Sequence, residues 1–184
     1  MSRTLLRVTT YLATFMFISY VLGWSQQQKQ SQPPGRGVEQ WVLRTDGIGP
    51  VRVGMTLAEL NRVLQEGFRM PTDKDERGCF YVSSTRHMGV HFMVEDGRVS
   101  RIDVASRGFP TDKGIQVGDP ERQVFATYGR ALKVRQNAYS DVKGDNELLL
   151  PLGRYAMQFS TSAGRVNAIL SGRISSVQYI EGCL

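Results

Sequence analysis

Apolar and polar positions follow two periods along this chain, and the change from one to the other happens twice in the same order. A short β-prone run, Val51 to Val53, is closed by Gly54 and followed by Leu57, Leu60, Val63 and Leu64 at helical spacing. A second run, Ile115 to Val117, is closed by Gly118 and followed by Val124, Phe125 and Tyr128 on one helical face. Each helix then gives way to period-two alternation around a glycine turn. Gly97-Arg98-Val99 followed by Ile102 in the first half recurs as Gly164-Arg165-Val166 followed by Ile169 in the second.

Local chemistry sharpens these elements. Thr56 with Glu59 three residues on has the spacing of a capping box. In the second half Asp119 can cap, with Pro120 at the first helical position, and Gly67 and Gly129 suit left-handed helix ends. Glu95-Asp96-Gly97 suits a three-residue hairpin loop with Val94 opposite Arg98. That register turns Val90, Phe92, Ile102 and Val104 inward, with Tyr155, Met157, Phe159 and Ile169 as their counterparts. His91, Met93, Val99, Arg101 and Asp103 then share the opposite face, as do Gln158, Ser160, Val166 and Ala168. Leu60, Val63, Phe92, Ile102, Val124, Met157, Phe159 and Ile169 are the expected core.

The pattern predicts an α+β fold of two tandem repeats, each a helix packed on a small antiparallel sheet. The first spans 47–105 and the second 106–184, with Ser106 to Lys113 as the boundary and Val177 to Ile180 as a closing strand. Residues 24–46 precede them as a flexible tether. Within it Gln26 to Gly37 has no aliphatic or aromatic side chain to offset the entropy of ordering.

Residues 1–23 have the form of a signal peptide: Arg3 and Arg7 lead an uncharged, mostly apolar run from Val8 to Gly23. Cleavage falls after Gly23 or Ser25, and an uncleaved anchor is the competing reading, since spanning a bilayer takes roughly 17 to 25 apolar residues. No cysteine follows the run closely, so this is not a lipoprotein leader. The expected location is periplasmic or secreted, with membrane contact only through an uncleaved leader. In that setting the only two cysteines, Cys79 and Cys183, most simply form one disulfide; free thiols or an intermolecular bridge are the alternatives.

An apolar fraction of 41% places the remainder among globular chains rather than disordered ones. The formal charge of +6 is spread singly among acids, without the basic cluster and interleaved aromatics of a nucleic-acid surface. No Gly-x-Ser-x-Gly elbow marks a hydrolase, and Ser83-Ser84-Thr85 beside His87 is a strand or loop sequence rather than a catalytic one. His87 and His91, four apart on a β-prone segment, lack a fixed third ligand for zinc. Asp73, Asp75 and Glu76, and Asp141, Asp145 and Glu147, miss the spacing of a calcium loop. No phosphate loop, metal site or cofactor is expected.

The stretch from Pro50 to Leu64, VRVGMT followed by an amphipathic helix and a hairpin, resembles the small outer-membrane assembly lipoproteins of the SmpA/OmlA family. The duplication resembles the β-lactamase inhibitor protein fold. Cys79-Phe80-Tyr81 and the terminal Glu181-Gly182-Cys183 are similar to secreted bacterial proteins without an assigned role. The resemblance covers most of Gly47 to Cys183 and implies a helix or helix pair on each antiparallel sheet. Together the readings give an exported, non-catalytic protein-binding or inhibitory module whose partner is another protein and not a nucleic acid. The alternatives are a structural envelope component or an enzyme with an unrecognised site. His91, Met93, Val99, Arg101 and Asp103 are the candidate interaction face.

Overall fold

Leu43, inside the segment expected to be tether, is fully buried. The computed structural model describes residues 40–184 except 74–77, 139, 143 and 184, so the leader at 1–23 and most of the tether lie outside the described residues. The tether's expected end at residue 46 is corrected, because an antiparallel meander begins before it: β1 (Leu43–Arg44) pairs with β2 (Gly47–Ile48), and β2 with β3 (Val51–Arg52). Leu43 N–H donates to the Pro110 carbonyl at 2.8 Å, and its own carbonyl accepts from Asp112 N–H at 3.2 Å. The meander is thereby tied to the segment that joins the two halves.

α1 (Leu57–Leu64) starts with both arms of the capping box: Glu59 N–H donates to Thr56 Oγ1 at 3.2 Å, and Thr56 N–H to the Glu59 carboxylate at 2.8 Å. It buries Leu60 and Leu64. Val63, expected inside, is 37% exposed. It stands about 100° around the helix from Leu64, outside the narrow stripe that two turns can bury. The left-handed residue after the helix is Gln65 rather than Gly67.

The chain continues as β4 (Cys79–Ser83), β5 (Val90–Glu95), β6 (Arg98–Val104), α2 (Glu121–Tyr128), a 3-10 turn (Gly129–Ala131), β7 (Lys133–Gln136), β8 (Asn146–Leu152), β9 (Tyr155–Ser162), β10 (Arg165–Arg173) and α3 (Ile174–Val177). The second helix is entered differently from the sequence expectation. Pro120 is the cap, without a side-chain bond, while the Asp119 carboxylate accepts from Gln116 N–H at 3.0 Å and Arg107 Nη2 at 3.1 Å. Ile115 to Val117 forms no strand, although Ile115 is fully buried. The expected closing strand at Val177 to Ile180 is replaced by α3 and an irregular tail.

These differences overturn the α+β expectation of a helix or helix pair on each of two small sheets. The described residues are mostly β: ten strands in two sheets, with three helices of at most eight residues. Seven strands form one antiparallel sheet in the order β4-β5-β6-β10-β9-β8-β7, so the halves meet at β6 and β10 and share a continuous sheet. The strand β8, Asn-Glu-Leu-Leu-Leu-Pro-Leu, is buried on both faces through Glu147–Leu150 and so lacks the alternation that marks a strand in sequence. One face carries the main core, where Phe92, Ile102, Phe159, Met157 and Ile169 pack beneath Leu43, Ile48, Val51, Leu60, Ile115 and Val124. A smaller cluster on the other face joins Leu149 and Ala156 to Val177.

The two helix entries make the same bonds to the two hairpins. Gly54 N–H donates to Val99 O and Gly118 N–H to Val166 O, both at 2.7 Å. Leu57 N–H reaches Gly97 O at 3.2 Å and Glu121 N–H reaches Gly164 O at 2.9 Å. Arg98 Nη1 and Arg165 Nη1 donate to the carbonyls of Gly54 and Gly118, each at 2.9 Å. In each half the hairpin glycine thus accepts the N–H of the first helical residue, and the arginine after it locks the glycine turn ahead of the helix.

Both hairpin turns are two residues long, not three. Glu95 pairs with Arg98 and Val94 with Val99, with Asp96 at φ 50° and Gly97 at φ 73°. Ser100 is then an extra residue, because Met93 already faces Arg101. This bulge restores Phe92 opposite Ile102 and turns Val99 into the core, away from the face expected for it. Asn167 plays the same part beside Ala163-Gly164, and Val166 is likewise turned inward.

Candidate functional site

The face expected to meet a partner is largely occupied by the chain's own C-terminus. Val99 lies in the core, and Met93 and Arg101 are buried. The Arg101 guanidinium donates to Asp103 Oδ1 and Oδ2 at 2.8 and 3.0 Å, to Ser176 O at 2.8 Å, to Tyr179 O at 3.3 Å and to the Tyr81 hydroxyl. Ser176 Oγ donates to Glu95, and the Cys79–Cys183 disulfide, with a Cα separation of 5.3 Å, holds the end of the tail against β4. Burial pushes the Asp103 carboxyl above its ordinary value although Arg101 pulls it down, and burial likewise raises the Tyr81 hydroxyl. His91 lies outside this network: its Nδ1 is 2.7 Å from Ser83 Oγ on the neighbouring strand β4.

The other polar candidates also hold structure together. His87 stacks on Trp41 with ring centroids 3.5 Å apart, and burial lowers its pKa. Ser84 Oγ donates to Glu66, whose carboxylate also accepts from Thr85 N–H at 2.9 Å and Thr85 Oγ1 at 3.1 Å. Ser84 Oγ also accepts from the backbone N–H of His87 at 3.0 Å and lies 3.3 Å from His87 Nδ1, so it sits between the Glu66 carboxylate and the His87 ring. Asp145 accepts from Ser140 Oγ at 2.7 Å, Ser162 Oγ at 3.1 Å and Ala163 N–H at 3.1 Å, clasping the second hairpin. Glu147 pairs with Arg135. Asp75 and Glu76 lie outside the described residues.

The open site lies on the core side of the second half, where the helix layer runs out. An eight-residue helix such as α2 is about 12 Å long, whereas the eight residues of β9 extend over roughly 27 Å. One end of the strand pair therefore has no helix above it. Leu150 opposite Met157 and Leu152 opposite Tyr155 form the floor there, and Leu152 is 51% exposed. The β1–β2 turn (Arg44, Thr45, Asp46), Asp112 with Lys113, and Thr127, Tyr128 and Ala131 at the end of α2 form the walls. The resulting groove has a volume of about 540 Å³, within the range of sites that take small molecules or single side chains.

Its floor is apolar and its rim carries two cations and two anions, Arg44 and Lys113 against Asp46 and Asp112. Burial pushes the Tyr128 hydroxyl above its ordinary value, with Asp112 adding to the rise and Thr111, 3.3 Å away, opposing it. Tyr128 therefore stays a neutral phenol at physiological pH. Such a lining binds by apolar contact and orients by scattered polar groups. Sequence reading missed it, because Leu150 and Leu152 belong to a strand that it did not assign. The run Leu148 to Leu152, four leucines and a proline ahead of Gly153-Arg154, was the available sign.

No protein-family model matches this chain, and no curated protein matches it in sequence. Among solved structures it is similar to an extracellular protein containing an SCP domain from Bacillus anthracis, with a TM-score of 0.50 and 12% identity over 68% of this chain. This chain spans 45% of that protein's length. It is also similar to the uncharacterized protein YfeY from Escherichia coli, with a TM-score of 0.45, 17% identity, and 72% and 99% of the two chains covered. A DUF4309 family protein, YjgB, from Bacillus subtilis has a TM-score of 0.43 and 12% identity, with 64% and 78% covered. At these identities the likeness is one of fold alone.

Proposed function

We propose that this protein is an exported, non-catalytic binding module, built from two copies of one helix-and-hairpin unit, that takes an apolar segment of another protein in the groove over Leu150, Leu152, Tyr155 and Met157. The groove carries the reading: its floor is apolar, and its mixed-sign rim suits a polypeptide better than a phosphate backbone, which Asp46 and Asp112 would repel. The disulfide supports export, since such bonds persist in oxidising compartments, and the leader-like residues 1–23 point the same way. The paired bonds of Gly54 with Val99 and Gly118 with Val166 support the duplication.

The test is selection of displayed twelve-residue peptides on the intact, oxidised chain. Enriched peptides should carry apolar residues, and Leu152→Asp should weaken them by about tenfold or more. Leu152 is half exposed, so this variant keeps the core intact. Selected peptides that bind equally well to Leu152→Asp and Tyr155→Ala overturn the assignment of the groove.

A further inference from the structure

Across Tyr155 the groove adjoins a second hollow, of about 360 Å³, lined by Val53, Gly54, Arg154, Tyr155, Arg173 and Ser175. Tyr155 lines both. The charge changes character at that side chain: the groove rim mixes signs, while the residues lining the hollow include two arginines and no acid. Neither arginine has an acidic partner among the described residues, where the ion pairs belong to Arg101, Arg107 and Arg135.

The backbone brings Arg154 and Arg173 to the same end of the sheet. Arg154 occupies the Gly153-Arg154 turn between β8 and β9, and Arg173 ends β10 directly opposite Tyr155. Ile174 N–H donates to Arg154 O at 3.0 Å, linking the turn to the strand end. The Arg154 guanidinium lies 5.8 Å from the Tyr155 ring centroid, where the ring face attracts it. Two like charges facing a common hollow repel each other, and a bound anion relieves that repulsion. A planar guanidinium matches a carboxylate with two parallel hydrogen bonds.

We propose that Arg154 and Arg173 form a carboxylate subsite that receives the C-terminal carboxylate of the partner segment, whose last apolar side chain lies over Leu152 and Tyr155. The proposal rests on the groove reading above. The terminal residue fits because one side chain, Tyr155, separates the apolar floor from the arginines. A terminal residue carries its side chain and its carboxylate on the same Cα and reaches both places at once.

The experiment is an NMR titration of the intact, oxidised chain with N-acetyl-L-leucine, following the Nε–H resonances of Arg154 and Arg173 and the amides of Leu152 and Tyr155. Four probes separate the outcomes: this acid, N-acetyl-L-leucinamide, N-acetyl-L-aspartic acid α-amide and inorganic phosphate. The expected result is saturable movement at both sets of resonances with N-acetyl-L-leucine, at millimolar concentration, with at least about tenfold weaker binding of the amide and of the Arg154→Gln, Arg173→Gln double variant. Both arginines are exposed, so the double variant is expected to fold. If acid and amide move Leu152 and Tyr155 alike and leave the arginines still, the groove reading stands and the carboxylate subsite is wrong. Equal or tighter binding of the aspartic acid amide or of phosphate overturns the terminal-carboxylate assignment, as does the absence of any saturable shift.

Discussion

Replacing Arg101 with Met removes a buried cation while keeping most of its volume, and it exposes what the C-terminal tail depends on. The Arg101 side chain is 5% exposed and its Asp103 partner 21%. Four backbone or carboxylate acceptors and the Tyr81 hydroxyl lose their donor. Hydrogen bonds to a charged group contribute about 1.5–3 kcal/mol each, so a simple sum would overshoot. The guanidinium's own desolvation cost disappears with it, and breaking one side of a buried pair costs about 3–5 kcal/mol. We expect a loss of that size at pH 7. The loss should also depend on pH. Burial already raises the Asp103 carboxyl above its ordinary value, and without Arg101 it rises further. A carboxyl raised in the folded state favours folding below its unfolded pKa, and that contribution is lost as pH climbs through the folded value. The deficit of Arg101→Met relative to wild type should therefore grow between pH 4 and pH 7. Urea unfolding of the oxidised protein, followed by circular dichroism at both pH values, measures it. A loss below about 1 kcal/mol at pH 7, or a deficit that stays flat with pH, would refute the reasoning. Adding Asp103→Asn should recover part of the stability.

Cys183→Ser opens a loop closed over 104 residues and should lower stability by up to about 4–5 kcal/mol; hydrogen exchange should quicken first in residues 174–182, and an unchanged urea midpoint would contradict this. Gly172→Ala should cost more than about 2 kcal/mol: its Cβ would meet Ser100 O at 2.2 Å and Arg101 Cα at 2.8 Å, both backbone atoms, at a φ of 154°. Gly67→Ala, whose Cβ meets open space, is the control and should leave the midpoint within about 0.5 kcal/mol.

The inward set Phe92, Ile102, Phe159 and Ile169 was legible because period-two alternation survives wherever one face meets a core and the other is polar. The Arg101 network was not. Its side-chain parity follows from the strand, but its cover is Ser176 and Tyr179, more than seventy residues later, and no local pattern reports contacts at that range. The groove was hidden for a different reason. It is defined by what α2 is too short to cover, and a helix length matters only once the strand beneath it has been placed.

The bulges left a mark that alternation alone misreads. Val99 and Ile102 are three residues apart, as are Val166 and Ile169, and all four are buried at 1% exposure or less. Within an unbroken strand, residues three apart face opposite sides. Two apolar residues at that spacing on one core face therefore demand one extra residue between them, and Ser100 and Asn167 fill the place in the two halves. The same odd gap at the same distance from the same Gly-Arg turn, twice in one chain, is stronger evidence for a bulge than either hairpin offers alone. It also explains the glycine at the seam. The Ser100 carbonyl approaches β10 so closely that residue 172 has no room for a side chain, and the register joining the two halves depends on that contact.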